Sequence, residues 1–472
     1  MTENTSTATP RLAFTTTCKG RLSHLQETLS RNLVDASSYP NAVFVVLAYG
    51  DPEVAEWAKS ALSTYLNSGR LVVYSYDTSS PFEVAHAKNM AARCALLEGA
   101  DILVTVDADN FTGSGFAEFV ADYFIADNPH PGIFLCPNFD LIHDLPHGPR
   151  RPQRGYAGRL AVRAQTFIKA GGYDEFYDVW RGEDIDAIHR LKRMGYNERH
   201  IPNEFLNAIP HGAEVRFQEY PHAQKYETKQ EYQAVRSRKE TVVNNGRWGL
   251  GVVIRNSSGA PIELLPIPTR IFGIGLQRTG TTSLDSAFKI LGFDSFHWGS
   301  GEAPIIWQEM NATGRSKTLE QWYAFSDNPI PLLYKKLDRA YPGSKFILTT
   351  LSEERWIESV ERLWSFDHNP NRWMWEKYPF THRIHTVLYG QKEFDRGVFL
   401  ARYRRHNAEV REYFRNRSND LLEINPEQGD GWPQLCSFLG TPVPDVPYPH
   451  KDFMKPQGVT AVDADIMARL FS

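Results

Sequence analysis

From Arg11 onward the chain alternates short, densely apolar runs with longer stretches whose apolar positions recur every three or four residues. LAFTTT, AVFVVLAY, RLVVYSY and DILVTVD predict strands. The intervening stretches, about Leu22 to Asn32, Glu53 to Asn67 and His86 to Leu97, predict helices. Such alternation implies an α/β fold with a mostly parallel sheet, whose ligands bind beyond the carboxyl ends of the strands. Further on, EDIDAIHRLKRMGY puts Ile185, Ile188, Leu191 and Met194 on one helical face. NNGRWGLG, RNSSGAP and PIP then punctuate the chain with Gly, Ser and Pro, and a new strand–loop–helix opens at Arg270. The pattern therefore predicts a disordered lead over 1–10, a first domain over 11–250, a linker over 251–268 and a second domain over 269–472. A shift in composition supports that division, since nine of the eleven tryptophans follow Gly246.

The length of 472 residues suits about three domains or, equally, two large ones. A net charge of −4 and a pI of about 6.4 give no basic field for nucleic acid or an anionic membrane. Four cysteines without CxxC spacing indicate neither a zinc knuckle nor a disulfide framework. The polar start MTENTSTATPR lacks the apolar core of a signal peptide, and no stretch approaches the ~20 apolar residues of a membrane span. The expectation is a cytoplasmic protein without a membrane span; the sequence leaves its oligomeric state open.

Two stretches carry chemistry. ILVTVDADN ends an apolar run in Asp107 and Asp109, and alternation in an extended segment would point both carboxylates to one side. Paired carboxylates suit a hard cation such as Mg²⁺ or Mn²⁺. The plainer reading is strand-end turn chemistry. IFGIGLQRTGTTSL runs from a short strand through a Gly/Thr-rich turn into a helix, a shape that presents backbone amides to an anion. It lacks the lysine of the nucleotide P-loop, GxxxxGK[ST]; Thr281 stands there, and Arg278 is the candidate cation.

Taken with TTTCKGRLSHLQETLSRNL and GGYDEFYDVWRGEDIDAIHRLKRMGY, the DADN stretch resembles GT-A-type glycosyltransferases, Rossmann-like enzymes that use nucleotide-diphospho sugars. The GGYDE…GxED pattern resembles the galactosyltransferase group over about residues 11–215. The resemblance implies that Asp107, Asp109 and His211 hold the divalent cation against the diphosphate of a donor, a UDP-sugar by likeness. It implies that Asp184 deprotonates the acceptor and Glu183 contacts it, although both residues would also serve simply to cap a helix. Thr15, Thr17 and Arg21 would contact the nucleotide base, and His86 and Asn89 would line the donor site. The family's Trp-Gly pair is replaced by Trp180-Arg181-Gly182.

RTGTTSL, DNPIPLLYKKLDRAYPGSKFILT, ERWIESV and GWPQLCSFLGTPVPDVPYPH resemble cytosolic-type sulfotransferases whose loop reads PRTGT, over about Arg270 to Asp452. These are P-loop-like α/β enzymes that take sulfate from 3′-phosphoadenosine 5′-phosphosulfate (PAPS). By this resemblance Gln277, Arg278, Thr279, Gly280, Thr281, Thr282 and Ser283 cradle the phosphosulfate, and Ser359 contacts the 3′-phosphate. The family's arginine for that phosphate is Leu351 here, which leaves Arg355, Arg362 or another cation to replace it. His297 and Asp327 are the candidate bases. Tyr403, His406 and Asn407 lie on a basic helix that either lines the nucleotide or acceptor or, the plainer reading, forms a solvated face.

The expectation is thus a bifunctional enzyme adding a sugar and a sulfate to a carbohydrate or glycolipid acceptor. Two readings compete with it. One is a sulfotransferase carrying a non-catalytic carbohydrate-binding module; the other is a kinase-like second half, which the absent lysine opposes.

Overall fold

A computed structural model of the chain describes residues 9–127, 132–138, 158–176, 182–209, 240–298, 302–365 and 379–450. The chain forms two compact units, residues 1–267 and 268–472.

The first unit is built on a nine-stranded sheet. Its strands and helices follow in the order β1 (Leu12–Cys18), α1 (Leu22–Asp35), β2 (Ala42–Tyr49), α2 (Pro52–Ala61), α3 (Ser63–Asn67), β3 (Leu71–Tyr76), α4 (Val84–Leu97) and β4 (Ile102–Thr105). Then come β5 (Asn110–Phe111), α5 (Phe116–Ile125), β6 (Ile133–Cys136), β7 (Leu160–Arg163), α6 (Ala164–Lys169), α7 (Glu183–Arg193), β8 (Asn197–His200), β9 (Asn207–Ala208), β10 (Gly251–Arg255) and β11 (Pro261–Leu264). The sheet order is β11-β10-β3-β2-β1-β4-β7-β6-β8, and β3, β2, β1 and β4 are parallel. All eight residues of β2 are buried, as expected of a parallel strand covered on both faces. α4 packs on β1 and β2 through Ala85, Ala87, Ala91, Ala92 and Ala95, small side chains that let the helix lie close to the sheet. Strand order reverses between β1 and β4, so a crevice opens beyond their carboxyl ends.

Three expectations change here. The segment over 251–268 is not a linker: β10 and β11 form an antiparallel hairpin, and β10 pairs with β3. The predicted helix from Glu53 to Asn67 breaks into α2 and α3. The expected disordered lead is held at its end, because Asn41 Nδ2 donates to the Thr9 carbonyl and Tyr39 OH to that of Pro10.

The second unit carries a five-stranded, all-parallel sheet in the order β13-β14-β12-β15-β16. Its elements are β12 (Ile271–Gly273), α8 (Thr281–Ile290), β13 (Ser295–His297), α9 (Ala303–Thr313), α10 (Lys317–Glu320), β14 (Ala324–Ser326), α11 (Ile330–Ala340), β15 (Lys345–Thr349) and α12 (Glu353–Trp364). They are followed by α13 (Pro379–Tyr389), α14 (Arg396–Phe414), β16 (Leu421–Ile424) and α15 (Trp432–Leu439). β12, the first strand, lies between β14 and β15, so the turn that follows it opens at the reversal point. The four cysteines are buried and form no disulfide. No helix among the described residues is long and apolar enough to cross a membrane.

Candidate active sites

In the first unit the strand β4 stops at Thr105, and Asp107 to Asn110 form a turn closed by Asn110 N donating to Asp107 O at 2.9 Å. The extended strand therefore does not carry through Asp109, and the two carboxylates have different partners. Asp107 keeps a third of its side chain exposed, 3.7 Å from Lys88 Nζ. Asp109 is buried; Asn110 Nδ2 donates to its Oδ1 at 2.7 Å, and Arg21 Nη1 lies 3.4 Å from its Oδ2. The turn is braced from α1, where Thr28 Oγ1 donates to Ala108 O and Asn32 Nδ2 to Asn110 O. Arg159 holds it from the other side, donating to Asn110 Oδ1 and Phe111 O; burial brings this guanidinium down to about 10.

Glu183 and Asp184 open α7 and meet Asp107 through Lys88. The ammonium donates to Asp184 Oδ1 at 2.8 Å and Glu183 Oε1 at 3.0 Å, and sits 5.5 Å from the centre of the Tyr173 ring. α7 is fixed by the buried Asp186–Arg190 pair at 2.6 Å, with Arg190 also donating to the carbonyls of Ala170 and Gly172. Burial works against the Lys88 charge, yet Asp184, Glu183 and Asp107 outweigh it and hold Lys88 well above the usual lysine range. Burial and the Glu183 charge push Asp184 up to about 7, against the pull of Lys88. Burial also raises Asp107. For Glu183 burial is outweighed by Lys88, and the net direction is downward.

Gly158 forms one wall of this cluster. A Cβ there would lie 2.8 Å from Asp107 Oδ2, 3.0 Å from Asp184 Oδ2 and 3.1 Å from Lys88 Nζ, so its missing side chain leaves open the space these groups face. That cradle and its oxygen donors fit a hard divalent cation at Asp107. Among the described residues no cluster of three or more His, Cys, Asp or Glu has metal-site geometry. His211 and Trp180 lie outside the described residues. The chain does run beside the aspartate turn just before His211, with β9 paired to β5 and Ile209 N donating to Asp109 O at 2.8 Å.

The remaining expectations for this unit divide. Thr17 is half-buried at the end of β1, whereas Thr15 is buried with its hydroxyl toward Val104 O. Asn89 faces the interior: Nδ2 donates to Tyr173 O and Glu175 Oε1, and Tyr173 N donates to Oδ1. His86 Nε2 donates to Leu250 O, and Nδ1 accepts from Tyr49 OH. Both residues therefore brace the fold, Asn89 buried and His86 half-buried. Lys88, which lies between them, escaped the sequence reading. A lone lysine in an alanine-dense, sheet-packed helix was the available signal.

In the second unit the turn after β12 is held tightly. Gly275 lies against β15, where a Cβ would come 2.0 Å from Thr349 Oγ1. Gln277 Nε2 donates to Tyr389 OH at 2.5 Å, its Oε1 accepts from Asn328 Nδ2 at 3.2 Å, and its carbonyl accepts from Trp356 Nε1 at 3.0 Å. Thr279 Oγ1 donates to Leu276 O, and His406 Nε2 to Ile274 O. α8 then starts at Thr281, directly after Gly280, so the first-turn amides of Thr281, Thr282 and Ser283 have no carbonyl four residues back to bond within the helix.

Arg278 takes a left-handed backbone (φ +70°), and its Nε donates to Ser359 Oγ at 2.8 Å. Asp327 is likewise left-handed (φ +68°). Strain of this kind is concentrated at ligand sites. Thr281 Oγ1 donates to Asp327 Oδ2 at 3.1 Å, and His297 Nε2 lies 3.6 Å from the same oxygen. His297 Nδ1 donates to the Trp298 carbonyl at 3.1 Å, and its Nε2 lies on the Asp327 side. The buried Asn328 Oδ1 has no hydrogen-bond partner, an orphaned acceptor beside the turn that fits a polar ligand. Arg355 is exposed and paired with Glu427 at 2.9 Å. Tyr403, His406 and Asn407 are buried, not a solvated face; Tyr403 stacks on Trp356 and its hydroxyl bonds the Leu351 backbone.

Residues 270–455 match the family described as sulfotransferase domain, and residues 141–212 match that described as N-terminal domain of galactosyltransferase. The chain is a fusion of the two. It is 28% identical over 214 residues to Ava biosynthesis cluster protein M of Aspergillus versicolor, covering 38% of this chain and 80% of that protein. Among solved structures, the fusion shares 19% identity (TM-score 0.35) with the mannosyltransferase PcManGT from Pyrobaculum calidifontis in complex with GDP-Man and Mn²⁺, over 49% of this chain and 66% of that one. With the catalytic domain of Drosophila beta1,4-galactosyltransferase 7 in complex with xylobiose the figures are 14% and 0.33, over 54% and 92%. The fusion, with its glycosyltransferase-like and sulfotransferase parts, is a transferase.

Proposed function

We propose that this transferase is bifunctional, moving a sugar from a nucleotide-diphospho sugar to a carbohydrate or glycolipid acceptor and sulfate from PAPS to a carbohydrate hydroxyl. One observation supports it above the rest. In each unit, polar and ionisable groups from distant stretches of sequence converge beyond the carboxyl ends of the strands, where α/β folds bind ligands: Asp107, Lys88 and Asp184 in the first, and His297, Asp327 and Thr281 of the β12 turn in the second.

In the first unit Asp184 accepts the proton of the acceptor hydroxyl as that oxygen bonds to the anomeric carbon and the bond to the diphosphate breaks. Glu183 orients the acceptor. Asp107, with Asp109 and His211, would hold a Mn²⁺ or Mg²⁺ ion, which supplies charge neutralisation to the departing diphosphate. In the second unit His297 Nε2 takes the acceptor proton, the new O–S bond forms, and the S–O bond of the bridging P–O–S linkage breaks, its oxygen leaving on the 5′-phosphate of 3′,5′-adenosine bisphosphate. Asp327 stabilises the resulting imidazolium, which assigns it an orienting role rather than that of base. The first-turn amides of α8 and its hydroxyls hold the phosphosulfate. Arg278, bonded to Ser359, supplies the cation for the 3′-phosphate that Leu351 lacks and Arg355, paired with Glu427, does not offer.

The test is a panel of UDP-sugars with Mn²⁺ and labelled PAPS against glycan acceptors. Asp184→Asn is expected to cut sugar transfer at least about a hundredfold and spare sulfation, and His297→Ala the reverse. Absence of both products across the panel would remove the reading.

A further inference from the structure

Resting on the cation site proposed above, we propose that Lys88 is a built-in counter-cation: a positioning residue that holds Asp107, Glu183 and Asp184 together and sets the affinity of the site for a divalent ion by competing with it. Three carboxylates from three separate stretches of the chain share this single ammonium, at 2.8 Å (Asp184), 3.0 Å (Glu183) and 3.7 Å (Asp107). Only 5% of the side chain is exposed, so solvent screens these contacts little. The graded distances matter. Lys88 is bound closely to the α7 pair and loosely to Asp107, the carboxylate that borders the open space beside Gly158.

A divalent ion arriving at Asp107 meets a positive charge already in place. It displaces the loose contact and leaves the two close ones, so Lys88 stays with Glu183 and Asp184. The competition makes cation binding weaker than three carboxylates alone would give. It also keeps the carboxylates from repelling one another when no ion is bound. A merely structural lysine, filling space under Tyr173, would have neither effect.

The experiment uses the full chain and titrates Mn²⁺ by electron paramagnetic resonance and calorimetry, with thermal unfolding followed in parallel. Lys88→Met removes the charge and keeps an unbranched side chain one atom shorter; Lys88→Arg restores the charge. We expect Lys88→Met to bind Mn²⁺ at least about tenfold more tightly than the native chain, since a nearby like charge has gone. It should unfold at a lower temperature without the ion and gain a larger Mn²⁺-dependent increase. Lys88→Arg should return the affinity to within about threefold of native, because the like charge is back in place. Should Lys88→Met fold poorly, Lys88→Gln keeps a hydrogen-bonding end without the charge, and excess Mn²⁺ should restore either variant. Failure of both variants to fold in excess Mn²⁺ would overturn the proposal. So would a Lys88→Met affinity equal to native, or weakened binding of UDP with the Mn²⁺ affinity unchanged, which would make Lys88 a phosphate ligand instead. Loss of Mn²⁺ binding in Asp107→Ala checks the underlying site. If the native chain binds no Mn²⁺ at all, that site falls first and this inference with it.

Discussion

His406 shows how one buried side chain ties the phosphosulfate turn to solution conditions. It is fully buried, donates from Nε2 to Ile274 O where the turn leaves β12, and its Nδ1 has no partner. Burial brings its pKa down from 6.5 to about 4. The folded state therefore binds this proton less readily than the unfolded chain. The contribution is complete above pH 6.5, shrinks as the pH falls toward 4, and is gone below it; the total is roughly 3 kcal/mol. Replacing His406 by Gln is expected to flatten the acid side of the stability profile between pH 6.5 and 4 in denaturant titrations of the second unit. An unchanged slope in that variant would show that another group titrates there. Only part of this scale was legible in advance. Asp107, Glu183 and Asp184, named from sequence, come together around one lysine in the first unit, and His297 and Asp327 lie 3.6 Å apart in the second. The surroundings of Asp109, set by a turn where the strand has stopped, and the place of Lys88, whose partners lie far away in the chain, have no local signal.

At the scale of elements, the strand–helix alternation up to β4 was readable because parallel strands buried on both faces are continuous apolar runs. The β10–β11 hairpin was not read as such, although GVVIR and PIEL flank an NSSG turn in the pattern of two short strands. Gly and Pro suggested a linker, and the decisive fact was pairing with β3, which no local signal records. Asn256 locks that pairing. Its Oδ1 accepts from Val73 N at 2.9 Å, its own N donates to Val73 O at 2.6 Å, and its backbone is left-handed (φ +51°). Asn256→Ala should cost the first unit about 2 kcal/mol, combining a lost hydrogen bond with a disfavoured backbone. Asn256→Gly should recover roughly 1 kcal/mol of that by relieving the backbone alone. Denaturation midpoints of the pair decide it, and equal losses would show that the backbone angle carries no weight.

At the scale of the whole molecule, each unit has its own sheet and its own buried core. Ligands specific to one unit should therefore act on it alone. Saturation at about a hundred times Kd adds about 2.7 kcal/mol to whatever folds as one body with the site. In calorimetry, 3′,5′-adenosine bisphosphate is expected to raise one unfolding transition and UDP with Mn²⁺ the other. A single transition moved by both would mean that the units unfold together. The hairpin also bears on how the protein is made. β3 leaves the ribosome early, but the strand that closes its flank, with the Arg255 that pairs with Glu98, is translated only after every carboxylate of the first site. Until then the nascent sheet carries a bare edge, and its neighbour arrives just ahead of the second unit's first strand.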